Sequence, residues 1–141
     1  MVELIDLIDR MAAALKTALP EAEILKAYPA APAGTALNRP LVILEQGAVT
    51  VKGRALGDYL PGGMGKRVKA AVKFTICAPL RLGGEACARL FSALCQTLLF
   101  NSAYGITSMT AGSVRINSEK HACELTATAV LEMELRKGGN G

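Results

Sequence analysis

Apolar residues recur at helical spacing in two parts of the chain. Over residues 2–19 they return every three or four positions, and acidic residues crowd the first turns, where the helix dipole favours negative charge. Pro20 forces the residue before it out of helical geometry, so this helix is expected to end there. A second apolar stripe runs over 84–100 and is followed by Asn101, a residue typical of helix ends. The pattern therefore predicts two amphipathic helices.

Alternation of apolar and polar residues predicts two long strands. Over 66–78 one face is apolar and the other is basic, and over 122–136 the apolar residues alternate with threonines and glutamates. Strands of this kind belong in a sheet that has one covered and one solvated face. Shorter strands are expected over 21–28, over 41–44 and over 106–116, the last with a bulge near Gly112.

Glycine and proline concentrate in the segments between these elements. Residues 29–40 are expected to form an extended loop, and residues 47–65 a long hairpin arm or mobile loop of a length that is often functional. The sequence therefore predicts a single α+β domain over 1–136, with a flexible tail over 137–141. Its mainly antiparallel sheet is expected to be covered on one face by the two helices, with a long Gly-rich loop or arm.

Composition supports one folded domain. The chain has 141 residues, of which 51% are hydrophobic and 20% are charged, so disorder as its default state is excluded. No apolar run approaches the roughly 18 residues that a membrane span needs, and the acidic N-terminus does not resemble a secretory signal. We therefore expect no membrane partner and a location in a reducing cytoplasm.

Few residues are candidates for chemistry. The four cysteines include no C-x-x-C pair, so they are expected to be reduced core residues rather than zinc ligands. His121 is the single histidine and lies in a predicted turn, where a solvated side chain is expected. Residues 62–67 fail as a phosphate-binding loop, because Leu60 and Arg67 stand where glycine and serine or threonine are needed. We expect no catalytic residues, no cofactor and no metal site.

Charge is unevenly distributed along the chain. The net charge is +4, but residues 46–84 hold seven lysines and arginines against one aspartate, and the rest of the chain is acidic overall. One interpretation is that subunits carry complementary surfaces, basic on one neighbour and acidic on the next, which close into a ring. The others are a solvated sheet face of mixed charge and a contact with nucleic-acid phosphates.

The complete order of elements resembles a known family. An N-terminal amphipathic helix and a Pro/Gly-rich loop precede the strand 41–44, a glycine-rich arm, the strand 66–78, the helix 84–100 and a closing hairpin over 106–136. This order is similar to that of the tail terminator (tail-completion) proteins of long-tailed bacteriophages and prophages. The resemblance implies a non-enzymatic virion protein that forms a ring, commonly a hexamer, which caps the tail tube and joins it to the neck. It implies no cofactor.

The partners implied are further copies of the chain, the tail tube protein and a neck or head-completion protein. Assembly is expected in the bacterial host cytoplasm, with the finished protein in the virion tail. The alternatives are a small basic nucleic-acid-binding module that uses the same basic strand, and a small enzyme or ligand-binding domain. From charge and loop position, the interface residues are expected to be Lys52, Arg54, Tyr59, Lys66, Arg67, Lys69 and Lys73.

Overall fold

The fold is α+β, as predicted. In a computed structural model of the protein, the described residues are 4–26, 39–51, 65–118 and 121–136. They form two helices and six strands, with short 3₁₀ turns before and after the second helix. The elements in chain order are α1 (Leu4–Ala18), β1 (Glu23–Lys26), β2 (Leu41–Val51), β3 (Gly65–Pro79), α2 (Gly84–Leu98), β4 (Ile106–Ala111), β5 (Arg115–Asn117) and β6 (Ala122–Arg136).

The six strands form one sheet in the order β1-β2-β3-β6-β4, and β5 follows β4 along the same side of β6. All pairs are antiparallel except β1 with β2, which is parallel. The mainly antiparallel sheet is therefore confirmed. Both helices pack on one face of it, with α1 against β1 and β2 and α2 against β3 and β6.

The core lies between this face and the helices. Leu44, Phe74 and Ala127 lie side by side on β2, β3 and β6 and are fully buried, so a large ring on the central strand is accommodated by a small neighbour. The predicted alternation of β3 and β6 is confirmed, because their inward residues are the buried ones. The helices contribute the residues Leu7, Ile8, Met11, Leu15, Cys87, Leu90, Leu94 and Leu98.

The strand over 41–44 is longer than predicted. Residues 47–51 were expected to be irregular, yet β2 continues to Val51 and pairs with β3 after a register shift between Gln46 and Val49. A Cβ on Gly47 would lie 3.1 Å from the Cβ of Ala71, so the glycine lets β2 approach β3 closely at this bulge. Pairing with β3 thus outweighs the local glycine content.

The single strand predicted over 106–116 is also corrected. It is divided into β4 and β5, and the chain leaves strand geometry over 112–114, where the Gly112 N–H still donates to the Thr126 carbonyl at 3.0 Å. The register with β6 shifts twice, between Ile106 and Ser108 at the start of β4 and again between Ala111 and Arg115, where four residues stand against three of β6, so the bulge predicted near Gly112 is confirmed. The predicted tail 137–141 and most of the two predicted loops lie outside the described residues.

Candidate interaction surfaces

The solvent-facing side of the sheet carries basic and acidic residues on adjacent strands. Arg67 and Lys69 of β3 lie opposite Glu134 and Glu132 of β6 in the antiparallel register. Basic and acidic residues are therefore mixed on one face of one chain, and complementary surfaces between subunits stay a prediction. The two sets are cross-strand neighbours within one chain, and opposite charges so placed stabilise the sheet by about 0.2–1 kcal/mol per pair.

A third basic residue of β3 is also paired within the chain. Lys73 Nζ lies 3.7 Å from Glu45 Oε1 of β2, and both side chains are more than a third exposed, so this ion pair adds little stability. Because basic and acidic residues alternate across this face, its net positive potential is small. Such a face attracts the phosphates of a nucleic acid only weakly, which weighs against the nucleic-acid interpretation.

Three of the seven predicted interface residues lie together on this face. The side chains of Arg67, Lys69 and Lys73 are exposed there. Lys66 lies in β3, but its side chain is outside the description, and Lys52, Arg54 and Tyr59 lie outside the described residues altogether. Their part in an interface stays a prediction.

The two helices point their termini towards the two ends of the sheet. Asp9 of α1 forms an ion pair with Lys26, the last residue of β1, so α1 runs antiparallel to β1. The Cys87 thiol near the start of α2 donates to the Cys123 carbonyl at 3.2 Å, and the Glu132 N–H donates to Gly105 beyond the end of α2 at 2.9 Å. The start of α1 and the end of α2 therefore lie at the same end, beside the last residues of β2 and β6.

That end, here called the arm end, exposes large apolar side chains. Val49 and Val51 lie opposite the buried Ala70 and Val68, so they face the helix side of the sheet, yet they are 41% and 50% exposed. Phe100, just after α2, is 81% exposed. The helices do not reach far enough to cover these positions. The exposed apolar residues of the arm end are Ile5, Val49, Val51, Leu99 and Phe100.

A second apolar surface lies at the opposite end, here called the turn end. A Cβ on Gly84 at the start of α2 would lie 3.2 Å from Val114 Cγ1, and the Leu80 N–H donates to the His121 carbonyl at 2.9 Å. These contacts bring the 3₁₀ turn after β3 together with β5. The exposed apolar residues of the turn end are Leu80, Leu82, Val114 and Ile116.

The lateral edges of the sheet are β1 on one side and β4 with β5 on the other. In the described ranges no further strand pairs with the outer side of either edge. β1 pairs with β2 only up to Leu44, so β2 itself is an outer strand from Glu45 to Val51 within the same ranges. Such edges are templates for pairing with another chain unless something covers them.

No family model and no curated protein matches the chain. Among solved structures, a match is the sheath/tube terminator of the extracellular contractile injection system PVC in its extended state, with 12% identity and a TM-score of 0.49. The match covers 100% of this chain and 60% of that chain, so this chain spans about three fifths of the length of the terminator. The matched protein is a terminator, the class that the order of elements resembles, and a likeness at this level assigns no partner.

The described residues form no evident catalytic centre. They contain no group of three or more histidine, cysteine or acidic side chains that could hold a metal ion, and none of their helices is long and apolar enough to span a membrane. No disulfide joins the four cysteines, as predicted; Cys77, Cys87 and Cys123 are buried in the core, whereas Cys95 is only half-buried. Burial, with a smaller contribution from Cys123, raises the pKa of the Cys87 thiol to about 11, so it stays protonated and is a poor nucleophile. His121 is exposed in its turn.

One cavity of about 320 Å³ lies between the end of α1 and the first half of α2. Leu19, Pro40 and Leu90 are among its apolar lining residues, and its charged residues include Glu85 and Arg89, which pair with each other at 2.5 Å. It therefore differs from a ligand site in which several polar groups converge.

Sequence reasoning missed both apolar ends. Leu80 and Leu82 lie between the predicted strand 66–78 and the predicted helix 84–100, and Phe100 is the last residue of that predicted helix, two residues beyond the observed end of α2. Large apolar residues in short connections could have indicated these surfaces. A core residue normally lies on the apolar face of a helix or strand, so an apolar residue outside such a face suggests an exposed patch.

Proposed function

We propose that this protein is a non-enzymatic tail-assembly protein that forms a ring, caps the tail tube and joins it to the neck. The observation that carries the proposal is the pair of apolar surfaces at opposite ends of one sheet. A protein with two such ends can contact one partner on each side. The order of elements, which resembles that of tail terminators, supports the choice of tube and neck as those partners.

The lateral edges support the ring. The outer side of β1 and that of β4 leave backbone donors and acceptors without a strand partner among the described residues, and a heterologous contact between these unlike edges generates a ring when the rotation closes. Six chains of 14.7 kDa would form a ring of about 88 kDa. In such a ring all arm ends lie on one rim and all turn ends on the other.

The PVC terminator is described as a terminator of both sheath and tube. For this chain we propose contact with a tube, because a rim of repeated apolar side chains such as Phe100 suits another ring of matching symmetry. Docking of a tube on that rim would remove the exposed apolar side chains from water. Burial of apolar surface is the dominant favourable contribution in most protein association.

The test combines solution mass with a capping assay. Light scattering coupled to size exclusion, over a range of protein and salt concentrations, measures whether the chain forms a species of about 88 kDa, six times its 14.7 kDa. Co-expression with the tail tube protein from the same genome, followed by electron microscopy, measures tube length and the presence of a cap.

Two matched variants make the capping assay specific. Phe100→Ser removes an apolar side chain from the arm end, and Leu80→Ser removes one from the turn end. Because both side chains are exposed, each variant should fold. Phe100→Ser should lose contact with the tube, and Leu80→Ser should lose contact with the neck. A monomer that leaves tube length unchanged, or two variants that cap and join as the original does, would contradict the proposal.

A further inference from the structure

The turn end combines an open strand edge, an apolar surface and a cation in one place. β5 pairs with β6 on one side, where Arg115 lies opposite Glu124 and Ile116 lies opposite Cys123. On its other side no strand follows among the described residues. Backbone groups along such an edge can accept one more strand, which is a recurring mode of peptide recognition.

The two sides of this edge differ in chemistry. Ile116 lies opposite the buried Cys123 and therefore faces the helix side, where it is 71% exposed next to the other apolar residues of the turn end. Arg115 lies opposite Glu124 and therefore faces the solvent side of the sheet. Successive residues of a strand point to opposite faces, so an added strand would meet an apolar surface on one face and a cation on the other.

The carboxylate of Glu124, opposite Arg115 in the register, has other partners. Glu124 Oε2 accepts hydrogen bonds from Asn117 Nδ2 at 3.3 Å and from the Cys77 thiol at 3.6 Å. Arg115 itself makes no ion pair with another described residue. Arg115, Asn117 and Glu124 line an open cavity of about 350 Å³, which leaves room for an additional side chain beside the guanidinium.

We propose that the turn end binds an extended segment of a partner protein as an additional strand, in which apolar residues alternate with acidic ones. Its apolar side chains would cover Ile116 and its neighbours, and a carboxylate would pair with Arg115. The C-terminal residues 137–141 of a second copy do not fit, because they contain a lysine and neither an acidic nor a large apolar residue. The inference names the chemistry of one partner of the proposed ring and in that sense rests on the proposed function.

The test measures binding of a defined peptide to the full-length protein. The probe is a fluorescein-labelled, end-capped seven-residue peptide in which valine alternates with glutamate, and the control peptide has lysine in place of glutamate. Fluorescence anisotropy should show at least about tenfold tighter binding of the acidic peptide. The backbone amide signals of β5 in an NMR titration should shift with the acidic peptide.

Three variants identify the surface. Arg115→Glu should weaken binding of the acidic peptide at least about tenfold and reverse the preference between the peptides. Ile116→Thr, which keeps a β-branched residue in the strand, should weaken binding of both. Arg10→Glu on the exposed side of α1 is the matched charge control and should change neither.

Absence of acidic-peptide binding, or binding that Arg115→Glu leaves unchanged, would overturn the inference. A change in solution mass caused by Ile116→Thr would also overturn it, because the surface would then be a contact between copies. The proposed function fails separately. A chain that binds the acidic peptide but neither forms rings nor caps tubes would refute the ring and keep the strand-binding edge.

Discussion

Replacing Gly105 by alanine tests the connection that holds the end of α2 against β6. Gly105 has a φ of +66°, in the left-handed region that disfavours residues with a Cβ, and a Cβ there would overlap the carbonyl oxygen of Glu132. The Gly105 carbonyl also accepts the Glu132 N–H at 2.9 Å. The strand and the connection are thus fixed to each other at a position with no room for a side chain.

Gly83 provides the matched control. Its φ is +74°, but a Cβ there would meet nothing within 4 Å. Both alanine variants carry the cost of an unfavourable backbone, about 1–3 kcal/mol. Gly105→Ala must in addition separate the two backbones and weaken their hydrogen bond, which we expect to cost about 2 kcal/mol more.

Urea unfolding and thermal unfolding, each followed by circular dichroism, measure the difference. For a domain of this size, about 2 kcal/mol corresponds to a melting temperature lower by roughly 4–8 °C in Gly105→Ala than in Gly83→Ala. An equal loss of stability in the two variants would refute the steric part of the reasoning. A larger loss in Gly83→Ala would show that the connection tolerates a side chain better than the N-cap of α2 does.

Three further predictions concern charge, ionisation and packing. Lys69→Glu places a second negative charge opposite Glu132, so the free energy of unfolding, measured in urea, should fall by up to about 1 kcal/mol. Adding Glu132→Lys to the same chain should restore that free energy. If position 69 contacts a neighbouring subunit, ring formation measured by light scattering should stay weakened in the double variant. Because burial raises the pKa of Cys87 from 9.0 to about 11, the free energy of unfolding should fall as pH rises through this interval, where only the unfolded thiol ionises; Cys87→Ala should flatten that dependence. Phe74→Ala should lower the free energy of unfolding by about 3–5 kcal/mol, and a loss below 1 kcal/mol would contradict its place in the core.

Much of the fold follows from local pattern. The alternation over 122–136 coincides with β6, because an antiparallel strand with one buried face has a period of two that the sequence displays directly. β2 could not be bounded in the same way. Its last residues follow Gly47, and they form a strand because β3 supplies the pairing, which depends on residues distant in sequence.

The surfaces could be predicted less well than the strands. The sequence shows a basic segment and an acidic one, but the register that places Lys69 opposite Glu132 depends on how β3 and β6 meet in the sheet. The apolar ends have the same origin. Leu82 and Phe100 are exposed because α2, which lies between them in the chain, spans a shorter distance in space than the strands it covers. That difference becomes visible only when the elements are assembled.

The difference between the two ends bears on how a ring of this protein could stop growth. The arm end presents apolar side chains that follow a helix and a strand, including Phe100 and Val51, whereas the turn end presents a strand edge with Ile116 and the cation of Arg115. Unlike ends favour one partner on each side over stacking of identical rings, because a second ring would set the apolar arm end against a turn end that also carries the cation of Arg115 and an open strand edge. A tube that grows by adding like to like would therefore meet, beyond a ring of this protein, a rim that does not accept another tube subunit.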